Sequence, residues 1–235
     1  MTTDTRHDVP ALSSTEPPFS RRIRAGVGLS LAVGAVLSGG LQYAEYLRAG
    51  DLEQEDQIAW GLVHHGFYQL EWLAGMVGSF LLLLGFLGLW QVTRWSTPRL
   101  SAVGAVILTW GMSGQVFSET GTYTAQVVTA KVLGADAAST LITDGYLKDG
   151  GMIAGVLVPV IAGMLIGILL LAAACWRSGL GRGPAVLLAL WPLWDFFGPG
   201  RIGPISGELF LISAGVWLGV IVARMPHERW LGRTT

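Results

Sequence analysis

The sequence predicts an all-α protein, a polytopic transmembrane helical bundle. Of its 235 residues, 51% are hydrophobic and only 13% are charged, and the mean hydropathy is +0.53. Soluble domains do not show this balance. The apolar residues also fall into six runs, each at or near the length of about 20 residues that a helix needs to cross a bilayer. Helices are expected because they satisfy their backbone hydrogen bonds internally in hydrocarbon.

The six predicted spans divide the chain into a membrane domain and two tails. The spans are residues 25–44, 70–92, 100–117, 152–176, 184–197 and 205–223. Together they form a domain over residues 24–224. The polar, proline-containing segment 1–23 is predicted to be a disordered tail, and residues 225–235 form a second short tail. Two long connections on one side of the bundle are expected to be partly helical.

Basic residues in the short connections predict the orientation of the spans. Lysine and arginine are retained on the cytoplasmic side of a membrane. With six spans, the arginines of the tails and short turns all lie on one side of the membrane. The protein is therefore predicted to lie in the cell membrane with both termini in the cytoplasm. These arginines are Arg21, Arg22, Arg24, Arg94, Arg99, Arg177, Arg182, Arg224, Arg229 and Arg233. The opposite side is acidic, and is either a solvated loop surface or one that attracts a cation, a cationic substrate or a basic partner.

Composition and motifs exclude several classes of function. The 15 basic and 16 acidic residues nearly cancel, so no nucleic-acid partner is predicted. The single cysteine, Cys175, cannot form an intramolecular disulfide. The sequence contains no phosphate-binding loop, dinucleotide fingerprint or nucleophile elbow, and we predict no cofactor and no metal. Frequent arginine and the absence of asparagine are typical of a bacterial protein from a GC-rich genome.

Glycine pairs four residues apart predict close packing between helices within the lipid bilayer. Lipid removes most of the hydrophobic attraction between helices, so small residues that allow close approach become important. The pairs are Gly151 and Gly155, Gly163 and Gly167, and Gly215 and Gly219. Their partner helix belongs either to the same chain, to a second copy or to another membrane protein. Pro159 and Pro192 lie within predicted spans, where each is expected to kink the helix.

Two acidic residues lie unusually deep in the last predicted hairpin. Counting about 1.5 Å per residue from the basic turns places Asp195 at about 20 Å and Glu208 at about 24 Å within a core about 30 Å thick. Asp195 ends the fifth span, where the helix dipole and the loss of hydration both oppose its charge. It needs either Arg201 as a salt-bridge partner or a polar cavity lined by the hairpin. Glu208 is either a submerged acid or a first-turn acid near a serine cap.

Other candidate binding residues come from two short segments. His64, Tyr68 and Glu71 are spaced for one helical face, but the spacing is not a metal motif. They are interfacial side chains or have a metal-binding or pH-sensing role. Trp191 and Trp194 precede Asp195, so they form ordinary aromatic packing or provide aromatic faces that stabilise a bound cation.

Two hypotheses for the function follow. The first is a permease-like, accessory or sensor subunit with an acidic outward-facing vestibule. The second is an intramembrane enzyme that acts on a lipid or isoprenoid-like substrate, with Asp195 or Glu208 as the candidate catalytic general acid and Trp191 and Trp194 in its pocket. A blind, aromatic-lined cavity around Asp195 would favour the enzyme, and an open polar vestibule would favour binding or transport.

Overall fold

The computed structural model of the protein describes residues 18–49, 52, 54–146, 148–199 and 202–233. These residues are almost entirely helical, and no strand occurs among them. The predicted all-α class is therefore confirmed.

Ten helices are distinguished in the described part of the chain. They are α1 (Pro18–Ala49), α2 (Gln54–Val63), α3 (His65–Thr93), α4 (Pro98–Tyr123), α5 (Ala130–Leu133), α6 (Ala135–Thr140), α7 (Gly150–Arg177), α8 (Arg182–Phe197), α9 (Ile202–Ala223) and α10 (His227–Trp230). Wider π-helical turns, Thr124–Thr129 and Leu141–Tyr146, precede α5 and follow α6.

Among the described residues, five helices are long and apolar enough to cross a membrane. These segments are Phe19–Ala49, His65–Thr93, Pro98–Gly121, Gly150–Arg177 and Ile205–Ala223. They contain five of the six predicted spans. The remaining prediction, 184–197, lies in α8, whose 16 residues extend about 24 Å, less than a hydrocarbon core of about 30 Å. The structure thus supports a multi-pass membrane protein, and the sixth crossing stays a prediction.

Proline and glycine explain several helix boundaries. Pro18 and Pro98 occupy the first positions of α1 and α4, where the fixed φ of proline suits the first turn. Gly179 and Gly181, both with positive φ, form the tight connection between α7 and α8. Because α1 begins at Pro18, the end of the predicted disordered tail is helical. Residues 1–17 of that tail lie outside the described residues.

The bundle is organised around α1, which packs against both α3 and α9. α4 packs against α3 and α7, and α8 packs against α9. The shared core consists mainly of aliphatic side chains, among them Leu31, Leu82, Leu89, Ile168, Leu171 and Leu218. Other large apolar side chains point outward, for example Leu29, Phe80, Leu84, Val106 and Trp217. A helical bundle surrounded by lipid has apolar side chains both in its core and on its lipid-facing surface.

Glycines allow the closest helix contacts, as the sequence predicted for two of the three pairs. A Cβ atom added to Gly163 would meet the Cα of Gly111 on α4. Gly215 and Gly219 of α9 face α1 in the same way. Both partners belong to this chain. The third pair behaves differently, because a Cβ atom added to Gly155 would meet nothing within 4 Å.

Irregular helical turns surround Pro159 in α7. The segments Ile153–Leu157 and Ala162–Gly167 on either side of it are π-helical. Proline lacks a backbone N–H, and its ring clashes with the preceding turn, so wider turns accommodate it. Pro192 also lies inside a helix, α8.

Contacts between distant segments bring the predicted basic positions to one end of the bundle. Ser20 Oγ and His227 Nδ1 are hydrogen-bonded at 2.8 Å. Arg229 donates to the backbone carbonyls of Ser178 and Gly179, at 3.0 and 2.8 Å. α10 also contacts α3. The start of α1, the α7–α8 turn and the C-terminal segment therefore lie together, and α8 and α9 form a hairpin directed away from them.

Candidate functional site

Two adjoining cavities lie between the helices of the bundle. The first, which we call the vestibule, has a volume of about 210 Å³. The second, the inner chamber, has a volume of about 200 Å³. Gln42 of α1 and Gln115 of α4 line both cavities and so mark the place where they meet. The vestibule is defined by Glu45, Tyr68, Glu71, Trp72, Ser118 and Glu119, and the inner chamber by Ser38, Ser79, Met112, Trp191, Asp195 and Glu208.

Three carboxyl groups from three helices meet in the vestibule. Tyr68 Oη donates to Glu45 Oε1 at 2.7 Å, and Gln115 Nε2 donates to Glu119 Oε1 at 2.8 Å. Glu71 Oε2 is buried and has no hydrogen-bond partner among the described residues. The three carboxyl groups therefore lie close together, with neutral hydrogen-bond donors beside two of them, and a cation in the vestibule would offset their mutual repulsion when they ionise.

Helix direction explains why these acids meet. Glu45 lies one turn before the end of α1, Glu71 lies near the start of α3, and Glu119 lies one turn before the end of α4. Consecutive helices run in opposite directions, so these three places share one end of the bundle. Glu71 is among the candidate residues predicted from the sequence, whereas Glu45 and Glu119 are not. The sequence feature that could have identified these two acids is a second polar residue on the same helical face. Gln42 lies three residues before Glu45, and Gln115 lies four residues before Glu119.

Asp195 and Glu208 both line the inner chamber, together with residues of α1, α3, α4 and α7. Gly207 allows α8 and α9 to approach, because an added Cβ atom there would lie 3.2 Å from Asp195 Cβ. Glu208 is 4% exposed, and its Oε2 atom has no hydrogen-bond partner among the described residues. An acid this deeply buried between helices is a strong candidate for a binding function.

The alternative interpretation of Glu208 as a capped first-turn acid is wrong. α9 begins at Ile202, and Glu208 is the seventh residue of the helix. The helix starts earlier than expected because a proline, Pro204, is tolerated within a first turn. The carboxyl group instead faces α1, where a Cβ atom added to Gly39 would lie 2.5 Å from Glu208 Oε2.

Trp191 lines the inner chamber and carries a second unsatisfied polar atom, whereas Trp194 does not line the chamber. Trp191 is 5% exposed, and its Nε1 atom has no hydrogen-bond partner among the described residues. Trp194 is 39% exposed and packs edge-on against Phe210, with ring centroids 6.0 Å apart. The predicted aromatic contribution to the pocket is thus limited to the first tryptophan.

The structure divides the other candidates between the vestibule and the surface. Tyr68 and Glu71 line the vestibule. His64 is exposed and lies outside it. Its ring stacks on Trp60 at a centroid distance of 4.1 Å. Arg201, and with it the predicted salt bridge to Asp195, lies outside the described residues.

The combined cavity is lined by acidic and uncharged side chains. No lysine, arginine or histidine occurs among the described residues that line either cavity. No three histidine, cysteine or acidic side chains within the described ranges are arranged to hold a metal ion. The carboxyl groups are instead accompanied by amide, hydroxyl and indole groups, which suit a cation that forms hydrogen bonds.

Five helices that are long and apolar enough to cross a membrane, packed in one bundle, indicate a multi-pass membrane protein. The sequence matches no protein-family model, and searches of the curated proteins and of the solved structures gave no match either.

Proposed function

We propose that this protein is a permease-like or accessory membrane protein that takes up a cation through an acidic outward-facing vestibule. The observation that carries the proposal is the pair of adjoining cavities, which are lined by five carboxyl groups from α1, α3, α4, α8 and α9. Acidic clefts with low-dielectric walls concentrate cations, and ionisable residues inside a membrane domain commonly mark ligand or ion pathways.

The amides of Gln42 and Gln115 support a continuous route between the two cavities. Both side chains line the vestibule and the inner chamber. An uncharged amide can donate and accept hydrogen bonds, so it can contact a passing cation without holding it as strongly as a carboxylate. A ligand would thus move from the cluster around Glu71 to the pair formed by Asp195 and Glu208.

The proposed orientation places the vestibule outside the cell and the arginine-rich end in the cytoplasm. We expect a periplasmic reporter enzyme fused after Gly134 to be active, and a fluorescent protein fused to the C-terminus to fold in the cytoplasm. If α8 also crosses the membrane, the chain crosses it six times. A tag at the N-terminus should then be on the same side as the C-terminus. A cytoplasmic reporter after Gly134 would contradict the orientation.

Cation binding tests the proposed function directly. We would titrate the full-length protein, in phosphatidylcholine nanodiscs, with inorganic and organic cations and with a neutral solute, using calorimetry. We expect saturable binding of at least one cation class. Combined Glu71→Gln and Glu119→Gln substitutions should weaken it about tenfold, which corresponds to about 1.4 kcal/mol.

The matched control is Asp136→Asn, which removes an exposed acid of α6 outside the vestibule. It should leave binding unchanged. If no cation binds, or if the control has the same effect as the double substitution, the proposed function is wrong.

An intramembrane enzyme remains a second candidate because the inner chamber has substantial apolar walls. Leu82, Met112 and Phe196 line it together with Asp195 and Glu208, so the reacting end of a lipid or isoprenoid-like substrate could lie beside a general acid. Incubation with lipid extracts, followed by mass spectrometry, should then reveal a product that Asp195→Asn or Glu208→Gln removes. Unchanged extracts would eliminate this candidate.

A further inference from the structure

Two residues that line the inner chamber each carry a buried polar atom without a hydrogen-bond partner among the described residues, one an acceptor and the other a donor. Glu208 Oε2 and Trp191 Nε1 have no hydrogen-bond partner among the described residues, and neither bonds to the other. An unsatisfied buried polar group costs about 1–3 kcal/mol, so native structures usually supply a partner from protein, water or ligand. A single molecule that satisfies both atoms must offer a donor at one end and an acceptor at the other.

The charge of the chamber indicates which donor fits. Asp195 adds a second carboxyl group, and no basic side chain occurs among the described residues that line the chamber. An ammonium group is therefore favoured over a neutral donor, because charge-assisted hydrogen bonds to carboxylates are about twice as strong as neutral ones. Quaternary ammonium groups fit less well, since they carry no N–H to donate to Glu208.

The volume and walls of the chamber limit the rest of the ligand. About 200 Å³ corresponds to roughly seven water molecules at about 30 Å³ each. A space of this size suits a small ligand or a small ligand end. Leu82, Met112 and Met164 provide apolar surface for a short carbon skeleton between the two polar ends.

We infer that the inner chamber binds a small primary amine that also carries a hydrogen-bond acceptor, such as a short amino alcohol. The ammonium group lies at Glu208 and Asp195, and the acceptor receives the indole N–H of Trp191. This inference rests on the proposed function, because the amine reaches the chamber through the vestibule.

The ligand series uses three cations that separate the contribution of the acceptor from that of the N–H donors. Ethanolamine and propylamine have the same number of non-hydrogen atoms and one primary ammonium, but only ethanolamine has an acceptor. Choline keeps the hydroxyl group and loses every N–H. With the full-length protein in phosphatidylcholine nanodiscs, we expect calorimetry to show ethanolamine binding about fivefold more tightly than propylamine. Choline should bind at least about tenfold more weakly than ethanolamine.

Two substitutions assign the ends of the ligand. Trp191→Phe should reduce ethanolamine binding to the level of propylamine and leave propylamine unchanged. Glu208→Gln should weaken both amines at least about tenfold. The matched controls are Trp110→Phe, a half-exposed tryptophan of α4, and Glu228→Gln, an exposed acid of α10. Both should bind like the unsubstituted protein. Melting temperatures of all variants would be measured in the same nanodiscs.

A free amine and the headgroup of phosphatidylethanolamine share this chemistry, and lipid composition distinguishes them. If the headgroup is the natural occupant, adding phosphatidylethanolamine to the nanodiscs should lower the apparent affinity for ethanolamine. An unchanged affinity would assign the site to a free amine.

Several results would overturn the inference. Equal binding of ethanolamine and propylamine to the unsubstituted protein would refute the acceptor contact, whether or not the variants fold. Equal binding of choline would refute hydrogen-bond donation to Glu208. Cation binding that depends on Glu71 and Glu119 but not on Glu208 would refute the inner site and leave the proposed function standing. If no cation binds, both fail.

Discussion

Replacing Gly39 by alanine is expected to weaken cation binding about tenfold while leaving the protein folded. The added Cβ atom would lie 2.5 Å from Glu208 Oε2, closer than non-bonded atoms approach. The carboxyl group is the end of a side chain with several rotatable bonds, and the next contact, Ile212 Cγ1 at 3.2 Å, is also a side-chain atom, so both can shift without moving the helix. Its displacement removes the oxygen that the proposed ligand contacts. Calorimetric titration and the melting temperature would be measured on the same sample.

The next residue provides a closely matched control. Gly40→Ala adds the same methyl group to the same helix, but nothing lies within 4 Å of that position. We therefore expect no change in binding. A shorter acid should relieve the crowding, so Glu208→Asp combined with Gly39→Ala should recover part of the affinity. If the Gly39→Ala and Gly40→Ala variants bind the cation with equal affinity, the contact of Glu208 with the Gly39 position does not matter for binding.

Replacing Gly163 by alanine is expected to destabilise the protein. The added Cβ atom would meet the Cα, N and C atoms of Gly111, so the obstacle is backbone and not a movable side chain. α4 and α7 must then separate, and overpacking of this kind costs about 1–3 kcal/mol. For a chain of this size the melting temperature should fall by about 5 °C. Thermal unfolding in detergent would measure this change.

The control for this prediction lies two turns earlier in the same helix. Gly155→Ala adds a methyl group where nothing lies within 4 Å, and alanine has the higher helix propensity. We expect an unchanged or slightly higher melting temperature. A similar decrease for Gly155→Ala and Gly163→Ala would show that the loss comes from the helix itself and not from its contact with α4.

The fold class and the position of most helices follow from the sequence alone. Long apolar runs in a chain with few charges indicate membrane helices, and five of the six runs lie in helices long enough to cross a membrane. The glycines at 163, 167, 215 and 219 predicted the close helix contacts, because small residues at this spacing form a smooth ridge on a helix. Asp195 and Glu208 were recognisable because a charge within an apolar run is costly wherever it lies.

Which side chains share a cavity was decided only by the tertiary structure. Glu45, Glu71 and Glu119 are far apart in the chain, and each by itself resembles an ordinary acid near a lipid headgroup. They form one vestibule because α1, α3 and α4 alternate in direction and pack side by side. Likewise, nothing local distinguishes Trp191 from Trp194, yet only Trp191 reaches the inner chamber. Hydropathy reports how deep a residue lies, whereas the rotation of each helix about its axis depends on its neighbours. The direction in which a buried side chain points is therefore a property of the assembled bundle.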